Sequence, residues 1–198
     1  GYGGSGGIGD VLTLHSRLAD EDRDLTDYTV WVEEQDDDVR ELGRDRAQML
    51  ACYLRRKQEL GAIDFADQIK FAAELLENEE VRQFYTDRYR YLMVDEFQDT
   101  NYVQRLMVRR LGAALDGNVR VVGDPYQAIY GFRGAAPDNL ERFADEDFPG
   151  ATTIKLGVNY RSTPEILNAA NAIWSNAAES LGTNLYAPIG TTSGQRPL

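Results

Sequence analysis

Residues 91–101 read Tyr-Leu-Met-Val-Asp-Glu-Phe-Gln-Asp-Thr-Asn, and this stretch constrains the fold more than any other. A short apolar run with nothing polar before Asp95, set in a long polar background, has the pattern of a buried strand. It ends abruptly in two adjacent carboxylates, Asp95 and Glu96. In open α/β sheets ligands gather just beyond the carboxyl ends of parallel strands. An acidic pair there is placed for chemistry, since an Asp can hold Mg²⁺ and a neighbouring acid can position or deprotonate water. A strand followed by a solvated acidic turn fits the same residues.

Two further blocks repeat the design. Val119-Arg120-Val121-Val122 is strand-like and runs into Gly123-Asp124-Pro125-Tyr126-Gln127-Ala128-Ile129-Tyr130-Gly131-Phe132-Arg133-Gly134-Ala135, a loop rich in Gly. Thr152–Leu156 is β-branched and strand-like, and Leu156-Gly157-Val158-Asn159-Tyr160-Arg161-Ser162 leads to a helix start. Ser162-Thr163-Pro164-Glu165 has the form of a capping box with an early proline, opening a helix to about Ala178. Strand, helix, strand, loop, strand and helix at these lengths imply an α/β fold, a parallel sheet with helices on its faces.

The N-terminal part is helical and acidic. Gly1 to Gly9 has flexible-linker composition. It is no phosphate-binding loop, because none of Lys57, Lys70 and Lys155 follows a glycine. Val11, Leu12, Leu14 and Leu18 recur at helical spacing, whereas the charges of Asp20–Asp27 and Asp36–Asp38 have the look of solvated loop. Val39 to Leu60 is an amphipathic helix closed by Gly61. Asp64 can cap a helix from Phe65 to Glu77 that buries Phe65, Ile69, Leu75 and Leu76. Short helices are expected over Glu79–Arg88 and Pro137–Phe143, and a longer one over Asn101–Leu115, whose Arg105 and Arg109 share a face read as solvated. From Leu181 the chain is Gly/Thr/Pro-rich and unpatterned, as expected of loop or frayed end.

Charge decides whether nucleic acid is an admissible partner. A net charge of −12 argues against it at first. Residues 10–45, however, hold 13 Asp/Glu against 4 Lys/Arg, while the rest hold 20 against 17. The acidity is local and the remainder is near neutral, which leaves DNA contact open without making the chain a strong general DNA binder. Cys52 is the one cysteine, so no internal disulfide is possible, which fits a cytoplasmic protein. One His and one Cys leave no zinc-type cluster, and no apolar run has the length of a membrane span.

The three blocks, in this order and spacing, resemble motifs II, III and IV of the UvrD/Rep-type superfamily of ATP-dependent DNA helicases, over roughly residues 62 to 175. The string Ile63-Asp64-Phe65-Ala66-Asp67-Gln68-Ile69 is similar to the Asp-Phe-rich segment before motif II. The resemblance implies a RecA-like P-loop NTPase fold with ATP between two such domains, incomplete in this chain. Residues 10–61 are then a helical accessory part, 62–150 a partial first domain and 151–198 the start of the second. By resemblance, Asp95, with Glu96 beside it, holds Mg²⁺, and Glu96 is the general base for water. Gln127 sits near the γ-phosphate. Arg161 reaches the same phosphate as an arginine finger, and Tyr160 packs on the adenine. Tyr130, Phe132 and Arg133 form the single-stranded DNA side of the motif III loop. A hydrophobic turn on the core for the two rings, and a salt-bridged Arg161 beside a helix cap, are the structural alternatives.

The sequence departs from the family in lacking Gly-x-x-x-x-Gly-Lys-Thr. Backbone N–H groups and a lysine supply most phosphate binding in P-loop enzymes. The chain is therefore expected to be an internal piece of a 3′→5′ helicase, inactive alone, whose parent works on single-stranded DNA and duplex junctions in repair or recombination. A non-catalytic regulatory or protein-interaction module derived from a helicase is the alternative. Ala128 replaces a common Ser, Phe132 a common Trp, and Pro125-Tyr126 an often acidic pair.

Overall fold

The computed structural model describes residues 7–128, 138–175 and 186, with the backbone alone at 174 and 175. The chain divides into two compact units, Gly1–Ala151 and Thr152–Leu198. No helix among the described residues is long and apolar enough to cross a membrane.

The first unit begins with α1 (Ile8–Asp20), α2 (Leu25–Glu33) and α3 (Asp37–Leu60). Val11 and Leu18 of α1 meet Leu50 of α3 in a small core, flanked by Leu25, Tyr28, Tyr53 and Leu54. Ile8 and Gly9, read from sequence as linker, already belong to α1. Of the acidic stretches read as solvated loops, residues 21–23 are an exposed turn as expected, whereas 24–27 and 36–38 open helices. Asp24 and Asp27 form a reciprocal capping box on α2, and Asp36 caps α3, whose first turn holds Asp37 and Asp38. Carboxylates are stabilised at helix N-termini because they accept the unpaired N–H groups and oppose the dipole. Gly61 ends α3 with a left-handed φ of 59°, as its position predicts.

Asp64 caps α4 (Phe65–Leu75) in a box with Asp67. The buried face differs from expectation. Phe65 is 86% exposed and Leu75 59% exposed, while Asp67, Ala73 and Leu76 are buried. Asp67 turns inward because a cation waits there. The Lys57 ammonium contacts Asp67, lies 2.8 Å from Asp64 Oδ2 and 3.0 Å from His15 Nε2. His15, Asp64 and Asp67 thus converge, which the sequence did not foretell, with the Lys57 ammonium among them. Burial alone would raise the Asp64 pKa. Hydrogen bonds from Lys57, the Asp67 N–H and the Tyr53 hydroxyl hold it well below the ordinary 3.8. The same carboxylate accepts the Tyr53 hydroxyl at 2.7 Å and pushes that phenol up to about 12.

After α5 (Glu79–Thr86) the chain enters β1 (Leu92–Val94), α6 (Tyr102–Ala114) and β2 (Val119–Val121). The two strands pair in parallel, Leu92 with Val119 and Val94 with Val121. Parallel pairing follows from the intervening helix, which carries the chain back to the starting edge. Leu92, Val94, Val119 and Val121 face a core of Phe97, Val108 and Phe143. The alternate residue Met93 is 70% exposed, and Tyr91 68%, so β1 is covered on one face and is not the fully buried strand its composition implies. Within the described residues the sheet has two strands, and nothing covers its other side.

Arg105 of α6, expected on a solvated face, is 5% exposed. Its guanidinium forks onto Asp147 at 2.6 and 3.0 Å and reaches Glu146 at 2.6 Å. These acids lie on a π-helical turn, Phe143–Asp147, that continues α7 (Asn139–Arg142). Arg109 is half exposed, 3.9 Å from Asp147. Asn101 joins the helical part to the sheet part: its side chain caps α6 and donates to Asp20 Oδ1 at 2.6 Å.

In the second unit, Thr152–Leu156 forms no strand, and Ile154 and Leu156 are 76% and 72% exposed. β-branched composition makes a strand only when a neighbour takes its backbone hydrogen bonds, and the described residues offer none. Val158 instead makes a single parallel bridge to Tyr186, the one described residue of the tail. Helix α8 (Pro164–Ser175) starts with its proline in the first turn; the expected continuation to Ala178 lies outside the described residues.

Replacing Lys57 by Ala leaves two partly buried carboxylates facing each other, and unfolding by urea should show a loss of about 3–5 kcal/mol. Acid titration adds a sign. Because the folded Asp64 pKa is depressed, its contribution is complete above 3.8 and is lost as pH falls below that value. In Lys57→Ala the Asp64 share of that acid loss should shrink, because without the ammonium its folded pKa moves back toward 3.8.

Candidate functional site at the strand ends

Backbone pairing continues past both strands and shapes the acidic turn. Val122 N–H donates to Val94 O, and Phe97 N–H donates to Val122 O, each at 2.9 Å. Between these bonds the chain must reverse so that Phe97, fully buried, can enter the core. Glu96 makes the reversal with φ 51° and ψ 42°, a left-handed conformation in a residue with a Cβ. That costs roughly 1–2 kcal/mol, and non-glycine residues held this way cluster at functional sites. The result leaves Asp95 and Glu96 exposed at the strand end. Asp95 Oδ1 accepts the Glu96 N–H at 2.9 Å.

Gln98 lies beneath them with 1% exposure. Its Nε2 donates to Glu96 Oε2 at 2.8 Å, and its Oε1 accepts the Asp124 N–H at 3.0 Å. Asp124 stands just beyond the end of β2. Its Oδ1 accepts the Tyr126 N–H at 3.0 Å and opens a 3-10 turn over Pro125–Gln127. Its Oδ2 accepts from Gln127 Nε2 at 2.7 Å. An unbroken hydrogen-bonded run therefore joins Glu96, Gln98, Asp124 and Gln127 across the two strand ends. Pro125, a departure from the family pattern, suits the first position of that turn because its fixed φ is already turn-like.

Close approach explains Gly123. A Cβ there would lie 2.5 Å from Gln98 Oε1 and 3.1 Å from Leu140 Cδ1. From below, Asn139 (2% exposed) donates to Thr100 O at 2.8 Å, and the Thr100 hydroxyl donates to Phe97 O at 2.6 Å. One oxygen of Asp99 is buried without a hydrogen-bond partner.

Charge separates this acidic pair from the carboxylates of the interior. Asp64 and Asp67 are neutralised by Lys57, and Asp147 by Arg105. Among the described residues no Lys or Arg pairs with Asp95 or Glu96. Two exposed carboxylates without a cationic partner are hard oxygen donors of the kind Mg²⁺ takes.

Of the residues singled out from sequence, Asp95, Glu96 and Gln127 fall at neighbouring strand ends of the first unit. Tyr160 and Arg161 belong to the second unit. There Asn159 Oδ1 accepts the N–H groups of Arg161 and Ser162 at 2.9 and 2.8 Å, and both the Tyr160 and Arg161 side chains are exposed. Tyr130, Phe132 and Arg133 lie outside the described residues. The roles of Gln98 and Asp124 were not legible beforehand. The local signal for Asp124 was an Asp-Pro turn start; Gln98 had none, because its burial depends on the second strand.

A profile of the UvrD/REP helicase N-terminal domain family matches residues 13–149, and the chain belongs to that family. DNA helicase II of Salmonella typhimurium is 49% identical over 136 residues, 68% of this chain and 19% of the relative. DNA helicase II of Escherichia coli is 48% identical over the same length and shares. The ATP-dependent DNA helicase PcrA of Staphylococcus aureus is 36% identical over 197 residues, 96% of this chain and 24% of the relative. The chain thus spans about a fifth to a quarter of the length of these relatives.

Gly123→Ala should force Gln98 or Leu140 aside and cost about 1–3 kcal/mol in urea unfolding. Gly9→Ala, where an added methyl meets nothing within 4 Å, is the control and should be neutral or stabilising by up to about 1 kcal/mol.

Proposed function

We propose that this chain is part of an ATP-driven 3′→5′ DNA translocase and helicase, cytoplasmic and serving DNA repair or recombination. The observation that carries the proposal is the hydrogen-bonded run from Glu96 to Gln127, because it ties an acidic strand end to a neutral amide on the next loop. Such a run suits a P-loop NTPase of RecA-like architecture, in which hydrolysis at one strand end must be sensed at another.

The roles follow from the chemistry of the groups. Asp95, with Glu96 beside it, would hold Mg²⁺, which when bound offsets the charge of the ATP β- and γ-phosphates. Glu96 is exposed and no Lys or Arg among the described residues pairs with it, and the carboxylate oxygen not held by Gln98 would accept a proton from water. Gln127 can donate to a phosphate oxygen or to water once its amide leaves Asp124. From the second unit, Arg161 would supply a fixed positive charge to the terminal phosphate, and Tyr160 a ring for the adenine. Tyr130, Phe132 and Arg133 would meet single-stranded DNA by stacking and charge, each stacked base contributing about 1–3 kcal/mol. The partners are thus ATP, single-stranded DNA and duplex junctions.

The absence of a Gly-Lys-Thr string from these 198 residues favours one qualification, that the chain alone is inert. The alternative, a regulatory or protein-interaction module without turnover, differs in what the full-length polypeptide does.

The test is ATP hydrolysis by the full-length polypeptide with and without single-stranded DNA. Hydrolysis stimulated by DNA is expected, and Glu96→Gln should lower kcat by about a hundredfold or more with ATP binding retained. A full-length protein without DNA-stimulated hydrolysis would sink the proposal in favour of the regulatory module.

A further inference from the structure

We propose that Gln98 is a positioning residue, which aims the Glu96 carboxylate and couples it to the loop bearing Gln127. The proposal rests on Glu96 acting on water, as set out above.

Gln98 is almost completely buried, yet each end of its amide is used. Nε2 donates to Glu96 Oε2 at 2.8 Å, and Oε1 accepts the Asp124 N–H at 3.0 Å. The amide orientation is dictated by its neighbours, since a carboxylate requires a donor and a backbone N–H an acceptor. No other side chain of this length serves both. An ionised Glu could only accept and would set a second negative charge against Glu96; a Lys could only donate.

Glu96 needs such a partner. Its backbone is held in a left-handed turn, and its side chain is exposed with no cation among the described residues to fix it. The Gln98 hydrogen bond is the one side-chain contact that holds the Glu96 carboxylate among the described residues. The far end matters equally. Asp124 binds Gln98 through its N–H and Gln127 through its carboxylate, so displacement of Gln127 is transmitted to Gln98 through a single residue. Gly123 lets β2 come close enough for this, with no room for a Cβ over the Gln98 oxygen.

The experiment uses steady-state DNA-stimulated ATP hydrolysis by the full-length polypeptide. It compares the unaltered protein with Glu96→Gln, Gln98→Ala, Gln98→Glu and the double variant Glu96→Gln/Gln98→Ala. Gln98→Ala should lower kcat by about tenfold to a hundredfold, with KM for ATP changed by less than about twofold. The double variant should be no slower than Glu96→Gln alone, because a positioning residue has nothing left to position. Gln98→Glu keeps the shape and the acceptor for Asp124. Its kcat should fall about tenfold or more with KM for ATP changed by less than about twofold, because an ionised carboxyl cannot donate to Glu96. A residue that served packing alone would lose stability without lowering kcat in the folded protein, so this variant decides the matter if Gln98→Ala fails to fold.

Gln98→Ala with unaltered kcat, or losses that multiply in the double variant, would overturn the inference while leaving Glu96 in its role. Full activity in Glu96→Gln would remove that role, and the inference with it.

Discussion

The burial of Phe97 is the interaction on which the strand ends depend. Its ring is fully enclosed and meets Phe143 edge-on at 5.7 Å, while its N–H is held by Val122. Enclosing a side chain of this size is worth about 1.5–3 kcal/mol, enough to offset the left-handed backbone forced on Glu96. The turn is therefore held by the core below it rather than by its own preferences. Two carboxylates consequently project from a rigid strand end instead of trailing on a loop.

The chain uses carboxylates in three ways, and their surroundings distinguish them. At helix starts, Asp24, Asp36 and Asp64 accept backbone N–H groups. In the interior, Asp67 and Asp147 are paired with Lys57 and Arg105. Such pairs add little net stability but are costly to break, because the remaining charge would be buried without compensation. At the strand end, Asp95 and Glu96 are exposed and, among the described residues, have no Lys or Arg partner.

Local signals in the sequence carried far. Gly61 and Asp64 punctuate the helices as their types predict, and the apolar runs at 92–94 and 119–121 pair in parallel across the intervening helix. Of the acidic stretches at 20–27 and 36–38, residues 21–23 form the exposed turn expected, but 24–27 and 36–38 were misread although the signal was present. Asp24 and Asp27 stand three apart before an apolar segment, but dense charge resembles loop when it is really capping. The membership of the UvrD/REP helicase family was likewise legible, because its motifs are contiguous strings.

What the sequence determined by itself was therefore everything encoded within a few residues: helix ends, strand ends, and the order of acidic pair, amide loop and arginine. Tertiary structure alone decided which of those residues meet. It buried Gln98 between two strand ends, drew Arg105 onto Asp147, turned Asp67 toward Lys57, and left Met93 and Phe65 in solvent. Each of these outcomes depends on a partner ten or more residues away or on a covering layer that the described residues do not supply. Burial and pairing are properties of the assembled surface, and no local pattern records them.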